Sequence, residues 1–532
     1  MKTKLILITA AMLLAISGTR AQSDLSTGLD KFDEVMRIVT ETYPDTINQE
    51  RLIDNAIKML FRQLDPHTTY KTSAEAEEEQ RQQSYENIGI GAACRYFDDT
   101  LTIISVSPKS PARKAGLRVG MLIDSINNQP VTHRILTNEE ILGIINSRKD
   151  TLTISVIRGK GTKRYIIPTS KTPRSTIDAL YSPNDSTTYI RIGTFTKFTG
   201  DEFDKALSSF GRKRLRNVIM DLRDNPGGTL NPCVQICNHI IPENCTIFTT
   251  YAADDESKAE FADKTGLLKN SRIYILVNEN SASASEVVAS SVQDNDRGVV
   301  IGRRSYGKAL TQQIIWLKDG SKLSITNGRI YSPSGRCIQK PYIRGNFDSY
   351  YNETSTRKYR KEHLVRDSIS TAGKPMYKTV MKHRTVYGEM GVIPDIFVPE
   401  DSTNIPKQVH DSLYAFNVEN FAYEYVNTHR ARLSTKYGSF NRFYNNFKIS
   451  DLMVEAFRRY LKDNAYKLQN VMEEFNTPTN KDYRLKVEIK ACIALVLYGN
   501  NEYRQILNDY DSDYKAAMSL IADPQSYWKH FE

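Results

Sequence analysis

Between Tyr189 and Gly302, short apolar runs alternate with stretches of helical spacing, and this alternation restricts the fold more than any other feature. Tyr189-Ile-Arg-Ile192 reads as a strand, Asp201–Phe210 as a helix, Asn217–Leu222 as a strand and Leu230–Ile241 as a helix. Ile273-Tyr-Ile-Leu-Val277 is a third strand, Ser281-Ala-Ser-Ala-Ser-Glu286 opens a helix, and Gly298-Val-Val-Ile-Gly302 is a fourth strand. Such a pattern predicts an α/β layer structure. A run of small hydroxyl residues at a strand–turn–helix junction lifts a serine out of the sheet and aims helix N-terminal amides at it. Lys308 follows one strand later, behind Gly307. Together they suggest a Ser/Lys nucleophilic pair.

A serine hydroxyl is a poor nucleophile until a base takes its proton. No Ser-His-Asp motif and no Gly-x-Ser-x-Gly elbow is present to supply a histidine. Lysine can serve if desolvation brings it from ~10.4 towards ~7–8, a shift arginine cannot make. The oxyanion needs amide donors. One source is the amide after the nucleophile. The other is Asp224-Asn-Pro-Gly227-Gly228-Thr, where glycines at a strand end let backbone N–H groups approach a ligand.

The ends of the chain differ from this centre. Met1-Lys-Thr-Lys4, an apolar run from Leu5 to Ile16 and Ser17-Gly-Thr-Arg-Ala21 have the form of a secretory signal peptide cut after Ala21. The run is too short to span a bilayer, and no cysteine follows to mark a lipoprotein. The expected product is exported, most simply periplasmic, without a transmembrane anchor. The formal charge of +10 falls by three once Lys2, Lys4 and Arg20 are removed, which is modest for 532 residues. The basic cluster Arg357-Lys-Tyr-Arg-Lys361 therefore reads as a solvated face, and nucleic-acid binding is not expected. Cys94, Cys233, Cys237, Cys245, Cys337 and Cys492 are too few for a disulfide framework, and their pairing is not legible in sequence. Cys233 and Cys237 share a helix face and read equally as small hydrophobes; His239 nearby is weak evidence for an activated thiol.

Residues 24–82 read as helices, with Phe32, Val35, Met36 and Val39 at helical spacing, Pro66 ending one helix, and a Glu/Gln-rich helix from Ser73 to Gln83. From Tyr85 the order is Gly89-Ile90-Gly91-Ala92, a strand at Leu101–Val106, Ser110-Pro-Ala, Gly120–Ile126, a helical Asn138–Ile145 and a strand at Thr151–Ile157. This unit resembles a PDZ domain, in which an extended peptide joins a sheet edge and a backbone nest holds its terminal carboxylate. Gly89, Ile90, Gly91 and Ala92 match the carboxylate loop by position. Residues 341–386 are polar, basic and tyrosine-rich, and read as an insertion or partly flexible arm; from 405 onward the pattern is helical.

Asp221-Leu-Arg-Asp-Asn-Pro-Gly-Gly228-Thr-Leu230, Val277-Asn-Glu-Asn-Ser-Ala-Ser-Ala-Ser-Glu286 and Tyr306-Gly-Lys308 resemble the three signature segments of the carboxyl-terminal processing peptidases, or tail-specific proteases. Leu64-Asp-Pro-His-Thr and Val392-Ile-Pro-Asp395 match as well, so the resemblance covers roughly residues 30 to 400. It implies an α+β multidomain protein: signal peptide 1–21, helical region 24–84, PDZ domain 85–170, a crotonase/Clp-protease-like α/β core at 171–400 with 341–386 inserted, and helices at 401–532. By position it makes Ser283 the nucleophile, Lys308 the base, Gln312 the residue that orients the lysine, and Gly228 and Ala284 the oxyanion donors. Ser281 and Ser285 are the alternatives for the nucleophile. Ala309-Leu310-Thr311 stands where the family often has a further glycine, which bears on Gln312. No metal or cofactor is implied. The expected partners are polypeptides bound by their C-terminal tails, with a homodimer through the terminal helices, or an adaptor or activator at the C-terminal helices.

Two rivals remain. Gly302-Arg-Arg-Ser-Tyr-Gly307-Lys308 approaches a phosphate-binding loop, but Ala309 lacks the hydroxyl that would meet magnesium, and a strand follows instead of a helix. The alternative of another class is a catalytically inactive PDZ-containing binding or adaptor protein of the cell envelope.

Overall fold

The computed structural model describes residues 27–531 apart from 84–85, 98–99, 107–109, 134–135, 138–139, 142–143, 145–149, 160, 174, 253–255, 264–265, 402–415 and 465–480. The signal-like segment and most of the helix expected at 138–145 lie outside these residues. Among the described residues no helix is long and apolar enough to cross a membrane. The chain divides into two compact units.

The first unit takes the chain up to residue 77, with 314–325 and 343–347. It holds helices at 27–42 and Gln49–Phe61, and a short strand Thr69–Lys71 that pairs antiparallel with Lys322–Ser324. The second helix ends at Phe61, ahead of the stop expected at Pro66. Its last amides turn back three residues, Gln63 to Leu60 and Leu64 to Phe61. Asp65 then captures the amides of His67 and Thr68 at 2.9 and 3.0 Å, an Asx turn that competes with the helix.

The second unit is built on a six-stranded sheet. In chain order its elements are β1 (Ile177–Asn184), β2 (Thr187–Ile192), α1 (Thr199–Ser208), β3 (Asn217–Asp221), α2 (Asn231–Ile240), β4 (Arg272–Val277), α3 (Ala284–Asp294), β5 (Gly298–Gly302) and β6 (Ile396–Phe397). The strands lie in the order 1-2-3-4-5-6, antiparallel between β1 and β2 and parallel thereafter. The expected alternation is present, with helix ends shifted by one or two residues.

The continuous apolar strands follow from burial on both faces. Val218, Met220, Ile273, Ile275 and Val277 face α1–α3, meeting Phe203, Leu207, Ile236, Val288 and Val292. Their neighbours Ile219, Tyr274 and Leu276 face the other way, with Tyr189, Val299 and Ile301. That second face is closed by the last helices of the chain, α4 (Ser512–Ala522) and α5 (Pro524–Lys529), through Tyr514, Ala517, Leu520, Tyr527 and Phe531.

A separate antiparallel sheet contains Ala92–Phe97, Thr100–Val106, Leu122–Ile126, Thr151–Arg158 and Gly161–Pro168, in that spatial order. Its entry and exit strands, Glu86–Gly89 and Ser170–Pro173, pair with each other. Helices Phe416–Lys436, Asp451–Asn464 and Lys481–Leu497 share a core of their own, against which Ile104 and Val119 of the small sheet domain pack.

Of the stretch 341–386, expected as an insertion or partly flexible arm, residues 348–386 belong to the second unit and are not a loose arm. Tyr350, Arg357, Glu362 and Thr379 are buried, and helices Asp348–Tyr351 and Glu353–Tyr359 bond to earlier segments of the same unit, Tyr350 to Gln339 and Arg357 to Ser305 O. Polar composition misled here, because the charges are spent on one another and on backbone carbonyls: Arg304 on Glu353 and Glu362, and Arg357 on Glu353 and Ser305 O.

Candidate active site

Three adjacent parallel strands, β3, β4 and β5, end on the same side of the sheet, where ligand crevices form in open α/β folds. The turn after β3 carries Gly227-Gly228, the turn after β4 carries Ser283, and the segment after β5 carries Lys308.

The serine run is sorted by its hydrogen bonds. Ser281 and Ser285 are buried. Ser281 Oγ donates to Leu222 O at 2.8 Å, and Ser285 Oγ donates to Asn225 O at 3.0 Å. Both hydroxyls therefore fasten the serine segment to the glycine turn. Ser283, half-buried, sits between them at φ 56° and ψ −116°, directly ahead of α3. A positive φ is uncommon for a residue with a side chain and is held only when the surroundings over-determine it.

Glu286 does much of that holding. Its side chain is fully buried and accepts from Ser283 N at 2.9 Å, Lys308 N at 2.8 Å and Gly307 N at 2.6 Å, with the Ser305 hydroxyl as a fourth donor. Burial raises its pKa above the ordinary glutamate value, and these donors oppose the rise. One carboxylate thus ties the serine turn to the lysine segment. Sequence reasoning noted Glu286 only as the end of a motif; its spacing three residues after Ser283, the capping-box distance, was the available signal.

Lys308 is half-buried, and its Nζ donates to Gln312 Oε1 at 3.2 Å. Gln312 lies on strand Leu310–Trp316, which directs its side chain back to the lysine despite the absent glycine. The third segment is equally constrained. Phe195 N donates to Gly227 O at 2.9 Å and Thr229 N to Phe195 O at 3.0 Å, so the chain brackets Gly228. A Cβ on Gly228, at φ 144°, would lie 1.8 Å from Phe195 O; one on Gly227, at φ 96°, would lie 2.7 Å from Ser283 Cβ and 2.8 Å from Ala284 N. Only glycine fits at either position. Among the described residues, neither the Gly228 nor the Ala284 N–H has a hydrogen-bond partner. The amide that follows Ser283 and the amide of Gly228 are therefore open donors.

Charge behind the turn fixes its direction. Asp221 is fully buried; burial alone would raise its pKa, but Arg223 and Arg191 hold it far below the usual carboxylate range. Arg223 in turn reaches Asp511 and Asp513 at the start of α4, at 2.7 and 2.8 Å.

Other nucleophile candidates are used elsewhere. Cys233 and Cys237 are buried, and burial pushes the Cys237 thiol up to about 12. His239 pairs with Asp204 at 2.6 Å and accepts from Leu267 N. In the small sheet domain, Gly89 ends its strand, Ile90 is buried in the domain core, and Gly91 takes φ 71° ahead of Ala92–Phe97.

Residues 186–348 match the model of peptidase family S41 and residues 102–158 that of a PDZ domain. The chain carries an S41 peptidase domain. The chain also matches, at residues 412–499, a family of unknown function, DUF8443. It is 29% identical over 332 residues to the carboxy-terminal processing protease CtpB of Bacillus subtilis (strain 168), covering 61% of this chain and 68% of that protein. A CtpA-like serine protease of Staphylococcus aureus (strain N315) is 26% identical over 448 residues, 84% of this chain and 85% of the other. The solved photosystem II D1 C-terminal processing protease aligns with 69% of this chain and 92% of its own, at 19% identity and a TM-score of 0.36, too low to bear on the site.

Proposed function

We propose that this protein is an exported serine endopeptidase that reads the C-terminal tail of a polypeptide through its PDZ domain and cuts it with Ser283 and Lys308. The observation that carries the proposal is the shared Glu286 carboxylate, which holds the backbone of both residues while the Gly228 and Ala284 amides stay open. In this reading Lys308, as the neutral amine, takes the Ser283 proton as Oγ attacks the scissile carbonyl. The oxyanion forms between the two open amides, where preorganised donors act most strongly. The leaving amine collects the proton from Lys308, and water then releases the acyl group by the same route. Gln312 aims the lysine through the 3.2 Å bond.

Tail reading is supported by strand order. Among the described strands, Ala92–Phe97 pairs only with Thr100–Val106. Its outer edge, next to the Gly89–Gly91 turn, suits strand addition by a peptide. The charged start, apolar run and small-residue cut site of residues 1–21 support export.

The test is cleavage of an unfolded protein by residues 22–532, beside Ser283→Ala and Lys308→Ala. Activity in the parent alone, with all three folded, is expected, with a parent rate that rises with pH because a lysine base works only unprotonated. Equal cleavage by all three, or a profile flat from about pH 5 to 9, removes the Ser/Lys assignment.

A further inference from the structure

The basic cluster at 357–361 splits in the structure: Lys358, Tyr359, Arg360 and Lys361 are exposed, whereas Arg357 is buried. The Arg357 fork makes four hydrogen bonds. Nε donates to Glu353 at 2.6 Å, Nη1 to Ser305 O at 2.7 Å and Arg304 O at 3.4 Å, and Nη2 to Tyr306 O at 3.1 Å. Its three carbonyl partners are consecutive and lie immediately ahead of Gly307-Lys308. Lys340 continues the clamp, its N–H donating to Gly307 O at 2.9 Å. The Lys340 ammonium lies 3.9 Å from the Tyr306 ring centroid and 4.3 Å from that of Tyr350, and donates to Tyr350 O and Glu353. Gln339 accepts from Ala309 N at 2.9 Å. Every residue from Arg304 to Ala309 therefore has a backbone group held, by Glu286 on one side or by this segment on the other.

We propose that Arg357, seconded by Lys340, is a positioning residue for the Lys308 base: it fixes the peptide planes from which the lysine side chain projects. The proposal rests on the Ser/Lys reading and gives residues 348–362 a part in the reaction. A long side chain aims its terminal atom only as well as its backbone is fixed, and a misplacement of about 1 Å can cost about 100-fold in rate. The role requires arginine, because a point-charge ammonium cannot serve three carbonyls and a carboxylate from one plane.

The experiment compares the exported chain with Arg357→Lys, Arg357→Gln, Lys340→Met and, as control, Arg360→Ala, with Ser283→Ala as the blank. Measured on each are kcat and KM for an unfolded protein across pH, and hydrogen exchange of the amides at 304–309. Lys340 titrates at about 8, lowered chiefly by burial and by Arg357 against the pull of Glu353 and Glu286, so Lys340→Met separates its titration from that of the base. Both Arg357 variants are expected to lower kcat by about tenfold or more, with KM within about twofold, and to speed exchange at 304–309; Arg360→Ala should do neither. A folded Arg357→Lys with parental kcat and pH profile overturns the proposal, as does unchanged exchange. If Arg357→Gln fails to fold, Arg357→Lys and Lys340→Met decide. Cleavage that survives Ser283→Ala removes the Ser/Lys reading itself. Faster exchange in that case shows a structural clamp with no base to position, which also overturns the proposal.

Discussion

Ser283 and Glu286 are one device at the scale of single residues. The serine occupies a conformation costing about 1–3 kcal/mol, and the carboxylate that holds it is itself buried against its preference. The folded-state pKa of Glu286 lies above its unfolded value, so the folded chain takes up this proton more readily. Its contribution to stability is complete below about pH 4.3 and shrinks as pH climbs through the raised value. Glu286→Gln should abolish that slope. It should also put an amide NH2 among four donors where only acceptors suit, cutting activity by more than about tenfold. Melting temperature against pH, alongside kcat, checks both; a variant with parental rate and an unchanged slope contradicts the account. Motif position distinguished Ser283 from Ser281 and Ser285 in the sequence. Which hydroxyls were committed to Leu222 and Asn225 was not legible, because those carbonyls lie about 60 residues away, on the turn after another strand.

At the scale of elements, the long alternation of strands and helices was readable because both faces of the sheet are covered and its strands are apolar throughout. The cover on the second face was not. α4 and α5 lie over 200 residues beyond β5, and nothing local in Tyr514 or Tyr527 points to Tyr274 and Leu276. The same distance hid the bond from Arg223 to Asp511 and Asp513, which anchors the glycine turn to the end of the chain. Arg223→Met would leave Asp221, Asp511 and Asp513 without their shared cation. We expect a loss of about 3–5 kcal/mol, read by urea unfolding, with activity falling alongside it. A loss under about 1 kcal/mol, the range of a surface pair, would mean that the network does not support the turn. Within 341–386 composition misjudged single positions such as Arg357, whose partners lie far off in sequence, whereas Lys358 to Lys361 are exposed as a solvated face should be.

For the whole molecule, the described fold builds the candidate site on the six-stranded sheet and the PDZ domain on a sheet of its own. Glu86–Gly89 and Ser170–Pro173 pair in register, Gly89 opposite Ser170, so the PDZ domain leaves and rejoins the chain at nearly one point. Replacing residues 90–169 by Asn-Gly would turn those two strands into an ordinary hairpin. We expect that variant to fold, less stably because the helical core loses Ile104 and Val119, and to cut an unfolded protein, but to lose any preference for a tailed over a tail-less substrate; a preserved preference would place tail reading elsewhere. The paired strands act as a socket with adjoining terminals. Such a layout lets a lineage exchange one reader for another, or an engineer graft a domain with a different taste in peptide ends, without redrawing the circuit that does the cutting.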